Sequence, residues 1–346
     1  SFFTELVIYA HELPVQTKAV AFLLKACADK ALCAKFAEEG CMPLLVRVME
    51  KHPESAALCE EVLKTLAFTL VDDAAIAAFA TNNGIATTIA TMKRFQESVE
   101  VAYRGYFVLW TACHTQDYCA VALEKGVAEV LQYTYGHYME EERIIGCCIG
   151  FCHQMVLYPV IASALATTAC LQLVFAVVKR YAKTEDIMDH CVIILTKMLA
   201  ADLAVSAVVE ADVLGVIVGA MRASEEESPL RESVCLFLVY LLHDEQARNV
   251  LIRLDLTSFL IGVLQSSEKW SLLSAVCKTL EVLCVDDASL TIMEDEAVDE
   301  LCDKKLHQCQ EYPEFIGACS LFLCAFLENH ARKEEESSLQ TPDFFN

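Results

Sequence analysis

Apolar residues in the stretch 15–51 recur with helical spacing, and polar residues punctuate them at regular points. Val15 to about Ala28 reads as one helix. Asp29 then caps a short helix that passes through Lys35 and Phe36 to Glu39. Gly40 ends that helix, and Pro43 stands in the first turn of a third, which runs to Lys51. Glycine suits the left-handed residue that closes a helix, and proline suits a first turn that has no use for its N–H. Later stretches have the same faces. Leu58, Val62, Leu66 and Leu70 form an i, i+4 stripe supported by Leu63 and Ala67, with Glu60, Glu61 and Lys64 opposite. Leu273, Val276, Cys277, Leu280, Leu283 and Cys284 repeat the stripe, with Lys278 and Glu281 opposite.

Two sets of breaks keep one step along the chain. The first comprises Asp29, Asp72, Thr115, Pro159 (after Tyr158), Asp202, Asp244 and Asp286, at intervals of 43, 43, 44, 43, 42 and 42. Asp and Thr accept the orphan N–H bonds of a helix start. The second set, Gly40, Gly84, Gly126, Thr168, Asp212, Asp255 and Ala297, is spaced 44, 42, 42, 44, 43 and 42. The tetrapeptide Val-Asp-Asp-Ala occurs at 71–74 and again at 285–288, an offset of 214, or five periods. A period of 42–44 built from two or three helices belongs to the armadillo and HEAT range of helical repeats.

The run Gly-Cys-Met-Pro-Leu-Leu-Val-Arg-Val-Met at 40–49, preceded by Phe36-Ala37-Glu38-Glu39, resembles the armadillo repeat in particular. The resemblance covers about residues 1–330; it is strong in the first three repeats and weaker from the fourth to the seventh, where the glycine is replaced. It implies an all-α, right-handed α-solenoid of armadillo-like three-helix repeats. Seven repeats are expected within 15–312, at about 15–54, 55–97, 98–140, 141–183, 184–227, 228–268 and 269–312. Residues 1–14 read as a partial repeat or cap: Phe2 to Leu13 resembles the tail of a repeat whose start is missing, as in a piece of a longer protein. A capping helix is expected over 313–330, with stripe residues such as Phe315, Cys319, Phe322 and Phe326, and an acidic, mobile tail over 331–346.

Composition narrows the functional classes. The chain has 26 basic and 49 acidic side chains, a net charge of −23, which repels phosphate backbones and anionic lipid. Nucleic acid is therefore excluded as an expected partner. Eighteen cysteines fall mostly in apolar helical runs, among them Cys235, Cys277, Cys319 and Cys324, where they act as small hydrophobes. That usage suits a reducing, cytoplasmic compartment. Residues 144–178 hold no Asp, Glu, Lys or Arg, a 35-residue run long enough to cross a bilayer. His153, Gln154, Pro159, Thr167, Thr168 and Gln172 interrupt it, and the repeat punctuation passes through in step, so no membrane span is expected.

Catalytic chemistry is not expected. The chain has no Gly-rich phosphate loop, no G-x-S-x-G and no H-E-x-x-H. Cys147-Cys148-x-x-x-Cys152-His153, and Cys113-His114 with Cys119, read as helix core and not as metal ligands, because structural zinc favours two spaced ligand pairs. No metal and no cofactor is expected.

Partner binding is the remaining class. In armadillo proteins the long third helices line a groove where a repeated Asn clamps an extended peptide. The nearest positions here hold Ala26, Phe68 or Thr69, Thr111, Lys197, Tyr240 and Val282, with no Asn among them. Tyr103, Phe107 and Trp110 share a helix face at i, i+4, i+7, with Arg104 as a companion; such residues dominate interface hot spots. Tyr106 lies on the same helix, and Tyr133, Tyr135 and Tyr138 form a second aromatic group. Acidic clusters precede several long helices: Glu140-Glu141-Glu142, Glu185-Asp186, Glu225-Glu226-Glu227, and Glu311 with Glu314. Carboxylates there complement the helix dipole, and as a shared edge they would suit a Lys/Arg-rich partner segment. The resulting expectation is a protein-binding scaffold or adaptor, part of a larger cytoskeletal or signalling protein. The alternatives are a regulator of a GTPase or chaperone and a constitutive subunit of a larger assembly.

Overall fold

The computed structural model describes residues 7–166, 169–201, 203, 205–309 and 311–340. The regular elements among these residues are all helices, and they come in threes: long, short, intermediate. The first triplet is α1 (Leu13–Ala26), α2 (Lys30–Glu38) and α3 (Cys41–Lys51). Next come α4 (Ala56–Thr69), α5 (Asp73–Thr81) and α6 (Gly84–Arg94), then α7 (Val99–Ala112), α8 (Gln116–Glu124) and α9 (Val127–His137). The fourth is α10 (Glu142–Val156), α11 (Pro159–Ala166) and α12 (Ala169–Arg180). The fifth is α13 (Glu185–Ala200), α14 (Val205–Glu210) and α15 (Leu214–Ala223); the sixth is α16 (Pro229–Leu241), α17 (Glu245–Arg253) and α18 (Leu256–Ser266). The seventh is α19 (Trp270–Leu283), α20 (Asp287–Asp295) and α21 (Val298–Gln308), and α22 (Pro313–Gln340) closes the series.

The breaks perform the jobs their residue types suggest. Asp72 accepts a hydrogen bond from the Ala75 N–H at 2.8 Å, Thr115 from Tyr118 at 3.3 Å, Asp244 from Ala247 at 2.9 Å and Asp286 from Ser289 at 2.7 Å. Asp29 accepts from Ala31 and Leu32. Asp202 and Thr168 lie outside the described residues. At the second break the backbone turns left-handed at Gly40, Asn83, Gly126, Asp212, Asp255 and Ala297, with φ between 48° and 86°. One position needs correcting: in the second repeat the left-handed residue is Asn83, and Gly84 is the first residue of α6. Asn tolerates this conformation through local hydrogen bonding. With Asn83 in place the marks fall 43, 43, 86, 43 and 42 residues apart, 86 being two periods.

Two compact units divide the chain at Val177 and Val178, within α12. Each is an α-solenoid of armadillo-like three-helix repeats. In the first unit the long helices α1, α4, α7 and α10 pack side by side in chain order; in the second, α13, α16, α19 and α22 do so. Side-chain hydrogen bonds one period apart fix the register. His52 Nε2 meets the Ala10 carbonyl at 2.9 Å and the Tyr138 hydroxyl donates to the Gln96 carbonyl at 2.7 Å in the first unit. The Ser228 hydroxyl donates to the Glu185 carboxylate, and Thr279 donates to the Cys235 carbonyl at 3.1 Å, in the second. The core is the aliphatic stripe read from the sequence: Leu58, Val62, Leu66, Leu273, Leu280 and Leu283 are 0–2% exposed.

The uncharged run 144–178 is broken over α10, α11 and α12, and among the described residues no single helix is long and apolar enough to cross a membrane. The closing helix runs on to Gln340, where a mobile tail was expected from residue 331. Arg332 pairs with Asp287 at 3.2 Å and Lys333 with Glu294 at 2.7 Å, so the helix is held to α20 past its apolar stripe. Residues 341–346 lie outside the described part.

Candidate partner-binding face

The pattern of burial on the long helices repeats with the chain. Between residues 100 and 114, α7 and its end leave 100, 103, 104, 107, 110, 111 and 114 short of full burial and bury every other position. Subtracting 43 gives the seven incompletely buried positions of 57–71, and adding 129 gives those of 229–243. The long helices α4, α7 and α16 therefore leave the same face short of full burial, while α10 also buries Cys147 and Gly150 at the equivalent positions.

The groove-ladder positions fall on this face with one shift, and of Phe68 and Thr69 it is Phe68 that does so. Phe68 is 48% exposed while Thr69 is buried, and Lys25 stands one period before Phe68 where Ala26 was read. Thr111 continues this row in the first unit, and Lys197, Tyr240 and Val282 hold the equivalent positions in the second. Val71 and Val285, from the repeated tetrapeptide, hold equivalent positions, one in each unit, and are 59% and 52% exposed.

On the first unit's face the aromatic group assembles as its spacing predicts. Tyr103, Phe107 and Trp110 are half-buried along α7. Trp110 lies against Gly150 of α10: a Cβ there would come within 2.8 Å of the indole. The Arg104 guanidinium stands 4.6 Å from the Tyr103 ring centre, and the Arg143 guanidinium 4.2 Å. Cations over a tyrosine face are attracted by its quadrupole. Both guanidiniums also reach Glu100, at 3.4 and 3.8 Å. Arg104 is thus largely occupied within the molecule, its side chain 21% exposed, whereas Arg143 keeps 63% and is the freer cation. Sequence spacing missed Arg143 because it lies on the next long helix, 40 residues from Tyr103; adding one period to Glu100 would have found it.

The acidic residues lie along the edge where the long helices begin. Glu141 is the N-cap residue of α10 and Glu142 its first residue, both exposed, beside the aromatic face of the first unit. Glu185 and Asp186 open α13, and Glu226 and Glu227 precede α16, along the equivalent edge of the second unit. The structure thus brings Tyr103, Arg104, Phe107, Trp110, Glu141 and Glu142 onto one unit and places the other four on the other. Glu185 accepts from Ser228, so it also ties α13 to α16.

Among the remaining sequence candidates, Tyr106 and the Cys147, Cys148 and Cys152 thiols serve the core, whereas Tyr135 is exposed. Tyr106 is 0% exposed and its hydroxyl lies 2.7 Å from Thr134 Oγ1; burial raises its pKa. Tyr133 stacks on His137, and with Tyr138 it lines a separate cavity of about 220 Å³ beside Met92 and Gln96. Cys147, Cys148 and Cys152 are buried; burial pushes the Cys147 thiol up to about 11, away from reactive thiolate. Burial likewise holds His190, on the second unit's face, below the usual histidine range.

Comparisons agree with the geometry. No family model matches the chain, and no curated protein matches it. Solved structures do. An engineered protein superposes with a TM-score of 0.74 at 14% identity, over 99% of this chain and 85% of its own. A chain from a structure of the interaction between cadherin and β-catenin gives 0.67 at 11% identity, over 88% of this chain and 60% of its own. A designed armadillo repeat protein in complex with a (KR)4 peptide gives 0.52 at 12%, over 65% and 92%. With the 43-residue triplets and the left-handed breaks, these likenesses give the chain an armadillo-like repeat fold.

Proposed function

We propose that this chain is a protein-interaction scaffold whose first unit takes a partner segment on the open face of its long helices. The observation that carries this reading is the coincidence on one face of half-buried aromatics, an exposed guanidinium and an acidic edge, held in register by the repeat. The aromatic row supplies desolvated contact area of the kind that dominates hot spots. Basic side chains of the partner lie against Glu140, Glu141 and Glu142, and an apolar residue sits on Phe107 and Trp110. The similar designed protein that holds a (KR)4 peptide supports the basic character of the segment. Seventeen of the eighteen cysteines are described as free thiols, which suits a reducing compartment for the complex.

Trp110 packs on Gly150, so its truncation removes packing as well as contact area; exposed residues separate the two effects. A (KR)4 peptide titrated against the full chain should bind with an affinity that falls as salt rises. Glu141→Lys with Glu142→Lys should weaken it about tenfold at a small stability loss from two reversed charges at a helix start, and Phe68→Ala should weaken a longer segment with its melting curve unchanged. Affinity indifferent to salt and to the double charge reversal would remove the basic segment from the reading; no loss in any face variant would remove the face.

A further inference from the structure

Three cysteines distant in sequence converge in the second unit. Cys277 lies on α19, Cys302 on α21 and Cys319 on α22, and their sulphurs all lie within 4.8 Å of one another. Each is 0% exposed and each is a free thiol. One helical turn away on the same three helices stand Leu280, Val298, Phe315 and Phe322, also at 0%, so the surroundings are apolar and dry. Among the described residues this is the single group of three or more Cys, His, Asp or Glu with ligand atoms so close.

We propose that Cys277, Cys302 and Cys319 form a three-coordinate site for a soft monovalent cation, cuprous copper. Thiolates select soft metals such as cuprous copper and zinc. Zinc in structural sites takes four ligands. The cluster offers three protein ligands, all fully buried, so a trigonal d10 ion fits better. Distance agrees: a metal–sulphur bond of about 2.3 Å, the value for thiolate-bound zinc, places three trigonal sulphurs about 4 Å apart. The three helices therefore need little movement to close on an ion. Entry proceeds through local opening of the last triplet, a step repeat arrays take more readily than a single-core globule. Cys148 and Cys170 both lie beside Cys152, the Cys170 sulphur at 3.7 Å, but those three sulphurs do not all lie within 4.8 Å of one another.

The test uses the full chain, reduced and stripped of metal under anaerobic conditions, titrated with cuprous ion against a chromophoric cuprous chelator. One ion per chain should be retained in a shell of three sulphurs by X-ray absorption. Cys302→Ala and Cys319→Ala should each lose it, and Cys235→Ala, a buried cysteine of α16 outside the cluster, should keep it. Equal uptake by the cluster variants and the wild type overturns the proposal, as does retention of zinc in preference to copper, or no retention. If the alanine variants unfold, the wild type decides. Copper at about ten times its dissociation constant should slow alkylation of these three thiols about tenfold under mild denaturant. Unchanged labelling overturns the site.

Discussion

At the scale of the residue, the repeat is held in step by a backbone conformation more than by a residue type. Six described positions take the left-handed turn between a short helix and an intermediate one, and only Gly40 and Gly126 among them are glycine. Asn83, Asp212 and Asp255 are the residues that visit this region most readily after glycine. Ala297, at φ 48°, is the costly one: its Cβ crowds the following carbonyl oxygen, by about 1–2 kcal/mol. Ala297→Gly relieves that strain and loses about 0.4–1 kcal/mol through the freer unfolded chain. The variant should be more stable by about 0.5 kcal/mol in urea denaturation. Gly40 gives the converse case. No atom lies within 4 Å of where its Cβ would be, so Gly40→Ala meets no clash and tests the backbone alone. It should destabilise by about 1 kcal/mol. A neutral result at both positions would mean that the turn is not what sets the period.

At the scale of the element, helix type and order were legible because they rest on local chemistry. Asp and Thr caps, a proline in a first turn and i, i+4 stripes act within a few residues, so one sequence suffices to read them. Asn83 and Gly84 were confused because glycine was taken as the marker, when the conformation is the marker. Arg143 over Tyr103, and the convergence of Cys277, Cys302 and Cys319, were not legible, since each depends on neighbouring helices tens of residues apart. The period alone would have brought Arg143 into view; the thiol cluster also needs the packing of α21 against α22. The closing helix shows the same limit. Residues 331–336 are polar and carry no apolar stripe, so they read as tail, yet α22 continues through them. Their anchor is Lys333, which reaches Glu294 at 2.7 Å and Thr291 Oγ1 at 2.9 Å with its side chain 29% exposed. A pair this exposed stabilises by about 0–1 kcal/mol, enough to bias a fraying end but not the whole fold. Lys333→Ala should speed amide exchange from about residue 330 onward several-fold and leave α19 and α20 unchanged. Unaltered exchange would show that helix propensity alone carries α22 beyond residue 330.

At the scale of the whole molecule, the charge is unevenly shared. Residues 1–177 carry 12 basic and 19 acidic side chains, a net of −7; residues 178–346 carry 14 and 30, a net of −16. The two stretches are nearly equal in length, and self-repulsion rises as the square of net charge. The second unit therefore bears about five times the repulsive term of the first. Salt screens such repulsion, shortening the Debye length from about 30 Å at 0.01 M to about 3 Å at 1 M. It also weakens attractive surface pairs, and in the first unit these include Lys93–Glu129, Arg94–Glu54 and Arg143–Glu100. The second unit holds such pairs too, among them Lys269–Glu232, Arg332–Asp287 and Lys333–Glu294, so pair screening acts on both units and the net charge sets the difference between them. Raising sodium chloride from 0.01 to 0.5 M should slow amide exchange more in the core helices α13, α16 and α19 than in α4, α7 and α10. Strengthened apolar burial at high salt acts on both units alike, so the difference between them isolates the charge term. Equal gains would mean that the excess carboxylates of residues 178–346 are spaced widely enough for water alone to screen them. The acidity would then serve solubility or partner choice and have no bearing on the stability of the repeat.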